Sequence, residues 1–551
     1  MKTRTIIAAM AVLLVGCSTP PAETTYTSNF RHNALGFLPT AEKQMTINLT
    51  DAEEFRVRRA DNDKVVYEGT LGEVLTQKDV NESVRIADFS ELTREGEYYL
   101  EIPGVGRSRD FTIGQQAYND AYATAMRAFY LWRCGTAIDH TYKGIRYQQE
   151  ICHQGDGHED HIGIEGGHHD GTGGWHDAGD YGKYVVNAGI TGFTLLWAWE
   201  QFAPALQNVT LGLPETAPGY PEFLKEIKWE IDWLLKMAYP DGSGKVSHKL
   251  TALNFSDFYT MPQEDLQNRY YTDWSSAATA DYVALLAQAS RAFAPYDATY
   301  AAKCLEAAKV SYDFLSSYTG QKFLMQPQFT TGAYFTIDPD DRMWAAAEMW
   351  ETTGDERYLK DFEKMAEQQK FVVDVNWDWD NMRNLGMFRY AVSQRQGKNP
   401  EVEAKIKENI IAAADEIVAT ADADVYGRPL GGRYYWGCNG TVARQTVGLQ
   451  VADILAPDAK YQAAALDAVA HLFGRNHYDR SYVTGIGFNP PLYPHDRRSA
   501  ADGIQQPWPG YIVGGGHTAT DWIDDQDSYS HNEVAINWQA GLVFALAWFV
   551  G

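Results

Sequence analysis

A β-sandwich followed by a closed, two-layered all-α toroid is the fold this sequence predicts. Three observations carry that prediction. Residues 26–114 read as short, often alternating runs separated by turn signals. From residue 115 the apolar period lengthens to helical spacing. The helices that follow are of two kinds, some apolar on every side and others amphipathic, so one layer has to enclose another.

The strand-like runs are 45–50, 55–60, 64–67, 83–87, 97–101 and 110–113. Asp61-Asn62-Asp63, Arg94-Glu95-Gly96 and Pro103-Gly104 punctuate them with residues that favour turns. This spacing predicts an immunoglobulin-sized sandwich over 28–114. Tyr118, Tyr122, Met126, Phe129 and Tyr130 open the helical part, 115–551. Further helices are expected over 182–202, 222–237, 275–293, 300–316, 343–352, 402–419, 441–455, 461–473 and 532–549. The loops between them are long and rich in Gly, Pro, Asp and Trp, the kind that usually carries function.

The N-terminus reads as a targeting segment. Lys2 and Arg4 precede an apolar run, 6–15, too short to span a membrane. The run ends Leu14-Val15-Gly16-Cys17, which resembles the lipobox of bacterial lipoproteins. A signal peptide over 1–17, a lipid on Cys17 and a Pro- and Thr-rich tether over 18–27 are therefore expected. Ser18, where an Asp would favour the inner membrane, points to the outer membrane or cell surface. The alternative is an ordinary secretory signal with a coincidental Cys. Residues 534–550 are also apolar, but Asn537 and Gln539 make that stretch a buried helix rather than a span.

A formal charge of -26 argues against nucleic acid as a partner, because the acidic excess repels phosphates. Aromatic residues make up 13% of the chain, enough to furnish sugar-stacking surfaces after most have filled the core. Beyond Cys17 the cysteines are Cys134, Cys152, Cys304 and Cys438. They are too dispersed for a stapled scaffold, and the nearby histidines favour metal. A Cys134–Cys152 disulfide is the alternative.

The chemistry-bearing stretch is Gly173-Gly174-Trp175-His176-Asp177-Ala178-Gly179-Asp180, with two carboxylates three residues apart in a turn-forming context. Far downstream, Asn532-Glu533 opens an apolar helix and offers a third acid. Paired acids that activate water, facing a third across a pocket, are what glycoside hydrolysis requires.

Six anchors in order then make the chain similar to glycoside hydrolase family 9, in the subgroup with an N-terminal immunoglobulin-like domain. They are residues 174–184, Trp344-Ala345-Ala346-Ala347-Glu348, Gly474-Arg475-Asn476, residues 481–485, Pro494-His495-Asp496-Arg497 and Asn532-Glu533-Val534-Ala535. The resemblance implies an Ig-like β-sandwich on an (α/α)6 barrel and inverting hydrolysis of β-1,4-glucans. It makes Glu533 the general acid, Asp180 the general base and Asp177 a holder of the water. His495 and Arg497 match a motif that contacts sugar hydroxyls, with Arg497 also expected to hold a carboxylate ionised. Tyr529 matches an aromatic that lines the site, and Trp175 is expected to pack beneath the catalytic loop. Cys134, Cys152, His153 and His176 match the subgroup's structural zinc, which would fix the loop bearing the base. Calcium also occurs in the family, with no ligands identified in this sequence.

The resulting expectation is a surface-anchored, monomeric endo-β-1,4-glucanase acting on cellulose or related β-glucans. The alternatives within the family are an exo-acting cellobiohydrolase or cellodextrinase and an exo-β-glucosaminidase. The insertion 155–172 would close one end of an exo cleft, and Asp521, Asp524, Asp525 and Asp527 would supply a carboxylate for an amine. A non-catalytic glycan-binding lipoprotein is the distant alternative, one that has no need of the three acids. The histidines at 158, 161, 168 and 169 read as a solvated loop, with a second metal site as the sharper alternative. Gly514-Gly515-Gly516-His517 departs from the family's usual Gly-Gly-Pro-Asn, and Cys304 and Cys438 receive no role.

Overall fold

The computed structural model describes residues 28–214 and 218–551. The expected signal peptide, Cys17 and the tether lie outside the described residues. The first domain is built from β1 (Phe30–Arg31), β2 (Gln44–Asn48), β3 (Glu54–Arg59), β4 (Val65–Thr70), β5 (Leu75–Gln77), β6 (Glu82–Asp88), β7 (Gly96–Ile102), β8 (Gly106–Arg107) and β9 (Phe111–Ile113). They form two antiparallel sheets, ordered β1-β2-β6-β5 and β4-β3-β7-β8, with β9 also paired to β7. Alternation explains the core: Met45 and Ile47, Phe55 and Val57, and Tyr98, Leu100 and Ile102 all point inward. Strands β1, β5 and β8 were not predicted, because two or three residues are too few for alternation to register.

The barrel uses α1 (Asn119–Leu131), α2 (Val185–Leu206), α3 (Glu222–Leu234), α4 (Ser276–Phe293), α5 (Ala298–Ser317), α6 (Pro339–Thr353), α7 (Glu356–Gln368), α8 (Arg383–Val392), α9 (Pro400–Asp422), α10 (Cys438–Leu455) and α11 (Ala459–Leu472), two short turns α12 (Arg497–Ala501) and α13 (Tyr529–Asn532), and α14 (Ile536–Ala547). Helices α2, α4, α6, α8, α10 and α14 touch in succession, and α14 closes on α2. The outer layer is α1, α3, α5, α7, α9 and α11. This is the enclosed inner ring that the all-apolar helices required.

Helices α7 and α8 were missed: α7 is strongly amphipathic but follows α6 after a two-residue break, and α8 is short. The last helix starts at Ile536 rather than 532, because Glu533–Ala535 run extended, with His495 and Glu533 pairing as a parallel bridge. Likewise α2 starts at Val185, because Lys183–Tyr184 form β10 of a small sheet. Among the described residues no helix is long and apolar enough to cross a membrane.

Polar contacts join the two domains. Arg31 lies between Glu82, at 2.7 and 2.9 Å, and the Tyr426 hydroxyl. Arg109 donates twice to Asp479, at 3.0 and 2.9 Å, and Thr46 Oγ1 donates to the Val425 carbonyl at 2.8 Å. Arg475 reaches Gln44 and Thr46 from the barrel side.

Candidate active site

The glycine-rich segment 173–180 lies on α3, which holds it from below. Trp175 donates its backbone N–H to Glu230 at 2.7 Å and its indole N–H to Glu226 at 2.9 Å. Glu226 is in turn paired with Arg133 at 2.8 Å, both buried. Trp175 itself is buried against Phe129, so it packs beneath the loop as expected. Above, Gly179 lies against the His495 carbonyl, where a Cβ has no room. That close approach lets the Arg497 guanidinium donate to the Gly179 carbonyl at 2.7 Å, joining the two segments.

Asp177 and Asp180 both face one cleft, and so does Glu533. The cleft holds about 570 Å³ and is walled by Tyr184, Phe255, Tyr334, Trp379, Trp436 and Tyr529, an aromatic surface suited to the faces of sugar rings. The environments of the three acids differ. Asp177 accepts from Asn187 Nδ2 at 2.7 Å and from the Tyr334 hydroxyl at 2.5 Å. Burial and the neighbouring Asp180 charge nevertheless push its pKa up to about 7. Asp180 accepts from the Gly182 N–H at 3.0 Å and the Tyr184 hydroxyl at 3.1 Å. Glu533 is pushed up to about 8 by burial and by the charges of Asp180 and Asp177, with Arg497 opposing. It therefore carries a proton at neutral pH.

Glu533 does not head a helix, as the sequence suggested. It follows the turn α13, its carbonyl accepts from Gly514 at 2.9 Å, and it reaches the cleft from extended chain. Desolvation still raises its pKa, though by loop burial rather than by an apolar helix start. His495, Arg497 and Tyr529 all line the cleft. The His495 ring stacks on Phe258, with Nδ1 2.6 Å from the Gln526 carbonyl. Among the described residues Arg497 makes no ion pair with a carboxylate; its guanidinium is held by the Gly179 and Ser256 carbonyls, and from there its charge favours the ionised form of Glu533.

Sequence reasoning missed Tyr334, Asn187 and Asp378. Asn187 is on the inner helix α2 and reads there as a core polar residue. Asp378 is held by Asn537 at 2.7 Å and by Arg444 at 2.6 Å. Tyr334 lies on an irregular loop at φ +45°, a conformation uncommon for a bulky residue and with no sequence signature. Tyr184 was visible inside the 174–184 anchor but had no role assigned.

Cys134, Cys152, His153 and His176 bring one ligand atom each within 4.8 Å of one another, all buried. His153 Nδ1 is 3.2 Å from His176 Nε2 and 3.5 Å from Cys134 Sγ, and the two thiols are free rather than joined. Two thiols and two imidazoles at such separations fit a tetrahedral metal. Burial lowers the pKa of His176 and keeps the ring neutral, the form that ligates. The four residues surround the start of the catalytic loop, one position before Asp177.

The histidines of 158–169 do not converge. His169 stacks on Tyr271 and pairs with Glu159 at 2.6 Å, His158 meets His168 and Tyr270, and His161 meets Tyr270 and Phe329. The rings pack against neighbours, while 163–166 and His168 are exposed to solvent, as a solvated loop would be. Cys304 is buried on α5, and Cys438 donates to the Gly516 carbonyl at 3.5 Å.

Comparison with known proteins adds two family matches. Residues 118–546 match the glycosyl hydrolase family 9 description, and residues 25–107 match the cellulase N-terminal Ig-like domain. Endoglucanase D of Acetivibrio thermocellus is 53% identical over 95% of this chain and 84% of its own length. A cellodextrinase of Butyrivibrio fibrisolvens is 31% identical over 94% of this chain and 98% of its own. Among solved structures, the family 9 endoglucanase J30 superposes with a TM-score of 0.88 at 32% identity, covering 94% of this chain and 100% of that one. A zinc-binding triple mutant of it aligns with a TM-score of 0.87.

Proposed function

The chain belongs to glycosyl hydrolase family 9, and from that premise we propose that it is an inverting endo-β-1,4-glucanase that cuts within cellulose or related β-glucans. One observation carries the reading: three carboxyl groups face a single aromatic cleft, and one of them, Glu533, keeps its proton at neutral pH. In this reading Glu533 protonates the departing glycosidic oxygen. Asp180, held by two neutral donors, takes a proton from the water that attacks the opposite face of the sugar. Asp177 orients that water, and its hydrogen bonds to Tyr334 and Asn187 fix its carboxyl plane. His495, Arg497 and Tyr529 contact the chain beside the scissile bond, and the Trp436 and Trp379 faces carry neighbouring sugars.

Endo action is supported over the exo alternatives by the cleft lining. Among the described residues, none of 155–172 lines the cleft. None of Asp521, Asp524, Asp525 and Asp527 borders it either, and Asp524 is taken up by Arg480 and the backbone of 492–493. The test is the product series from cellohexaose with the anomer formed at first cleavage. Mixed internal products with the α-anomer are expected; a single terminal product, or retained β-configuration, would overturn the reading.

Zinc is the metal proposed for Cys134, Cys152, His153 and His176. When bound there it supplies a rigid crosslink between the α1 end, residues 152–153 and the catalytic loop, without entering the chemistry. Calcium is not part of the proposal. A lipid on Cys17, anchoring the enzyme at the outer membrane or cell surface, is proposed from the sequence alone. Mass spectrometry of the mature N-terminus should find acylated Cys17, and an unmodified N-terminus elsewhere would refute it.

A further inference from the structure

Lys249 is a fully buried ammonium that the chemistry above does not use. It opens β11 (Lys249–Thr251), the middle strand between β10 (Lys183–Tyr184) and β12 (Tyr270–Tyr271), where it lies directly opposite Tyr184. Its Nζ donates to Thr331 Oγ1 at 2.8 Å and to the Gly332 carbonyl at 2.6 Å, with the Thr331 carbonyl at 3.3 Å. It also lies 5.6 Å from the centre of the Tyr184 ring, whose hydroxyl donates to Asp180. Gly332 allows this approach, since a Cβ there would sit 3.1 Å from the Tyr184 oxygen.

An ammonium with no ion-pair partner is costly to bury. Burial pulls Lys249 down to about 8, and the charge that works against this is that of Asp180. The other groups facing Asp180 are accounted for. Asp177 on its own loop and Glu533 from the last loop add negative charge or a proton. Arg269, behind it, is paired with Asp156 at 3.1 Å. Arg497 is bound to carbonyls, Tyr184 is a phenol, and burial lowers His495 towards its neutral form.

We infer that Lys249 is a positioning residue for the hydrolysis: it packs over the ring of Tyr184, whose hydroxyl holds Asp180, and its hydrogen bonds hold the loop that places Tyr334 on Asp177. The second half has its own geometry. Lys249 grips Thr331 and Gly332, His248 bonds the Ala333 carbonyl, and Tyr334 follows immediately with its hydroxyl on Asp177. One lysine thus reaches both aspartates, through Tyr184 on one side and through the 331–334 loop on the other. The inference rests on the assignment of Asp180 as the base.

The test is kcat and KM on a soluble cellodextrin for the wild type, Lys249→Met, Lys249→Gln, Lys249→Arg and Asp180→Asn. Without the ammonium, Tyr184 and the 331–334 loop lose their anchor, so kcat should fall about tenfold in Lys249→Met and Lys249→Gln. In those variants KM should stay within about twofold, because the residues that contact the sugar chain are untouched. Lys249→Arg, which keeps donors for Thr331 and Gly332, should restore most of the wild-type kcat. A folded Met or Gln variant with the wild-type kcat overturns the inference. So does an Arg variant as slow as Met, or failure of all three to fold, since packing rather than hydrogen bonding would then be the residue's contribution. Asp180→Asn separates the two readings: if it still hydrolyses, the base assignment fails whatever Lys249 does.

Discussion

Glu533 shows how a loop residue acquires an acid's role. Its raised pKa makes it proton-bearing below about 8 and ionised above. Since the acid must donate, kcat/KM should fall on the alkaline side with a midpoint near that value, read from initial rates across pH. Glu533→Gln should lower kcat by about 10²- to 10⁴-fold and abolish that limb, because an amide has no proton to give; an unchanged alkaline limb would remove Glu533 from the acid's place. The three carboxyls were legible because they occupy short, distinctive strings, 174–184 and 532–535. The groups that tune them were not. Tyr334 reaches Asp177 from a loop without pattern, and Lys249 reads in the sequence as one more basic residue. Both meet the site through contacts across the fold rather than through neighbours in the chain.

At the level of elements, helix character was readable wherever a long apolar period ran unbroken. Boundaries failed where the site bends the backbone, at 183–184 and 533–535, each recruited into bridges instead of helix. The inner helices also carry acids that no periodicity explains. Asp281 on α4 and Asp341 on α6 are fully buried, and neither carboxyl has another polar partner, so they satisfy each other only by sharing a proton. Burial raises both pKa values. The folded state thus retains a proton that the unfolded chain releases above about pH 4, and stability falls as pH rises beyond that point. Asp281→Asn supplies a permanent donor, so its thermal midpoint should exceed the wild type's at pH 8 and differ little at pH 4. The metal cluster belongs to this scale too, joining three segments. Purified protein should hold about one zinc per chain, and Cys152→Ser should lose it with a clear drop in melting temperature. Zinc-free protein with a Cys134–Cys152 crosslink would refute the site.

Across the whole molecule, the Ig-like domain is held to the barrel by ion pairs and hydrogen bonds, with a small apolar contact among Val84, Val425 and Tyr426. Burial opposes the charge on Glu82, yet Arg31, Tyr426 and His477 together hold its pKa down at about 2. A depressed carboxylate contributes stability above its unfolded pKa and loses it as pH falls through the folded one. Calorimetry should therefore show the two domains melting together near neutrality and separating between about pH 4 and 2. Glu82→Ala leaves Arg31 buried and unpaired at a cost of about 3 kcal/mol, and should separate the transitions at pH 7. A single transition for that variant would place the coupling elsewhere.

The ring closure of α14 against α2 has a consequence for biosynthesis. The aspartates emerge from the ribosome about 350 residues before the glutamate, and they face each other only once α14 has slotted between α10 and α2. A chain that stops short of α14 carries half a reaction centre, so hydrolytic competence waits on the synthesis of that helix.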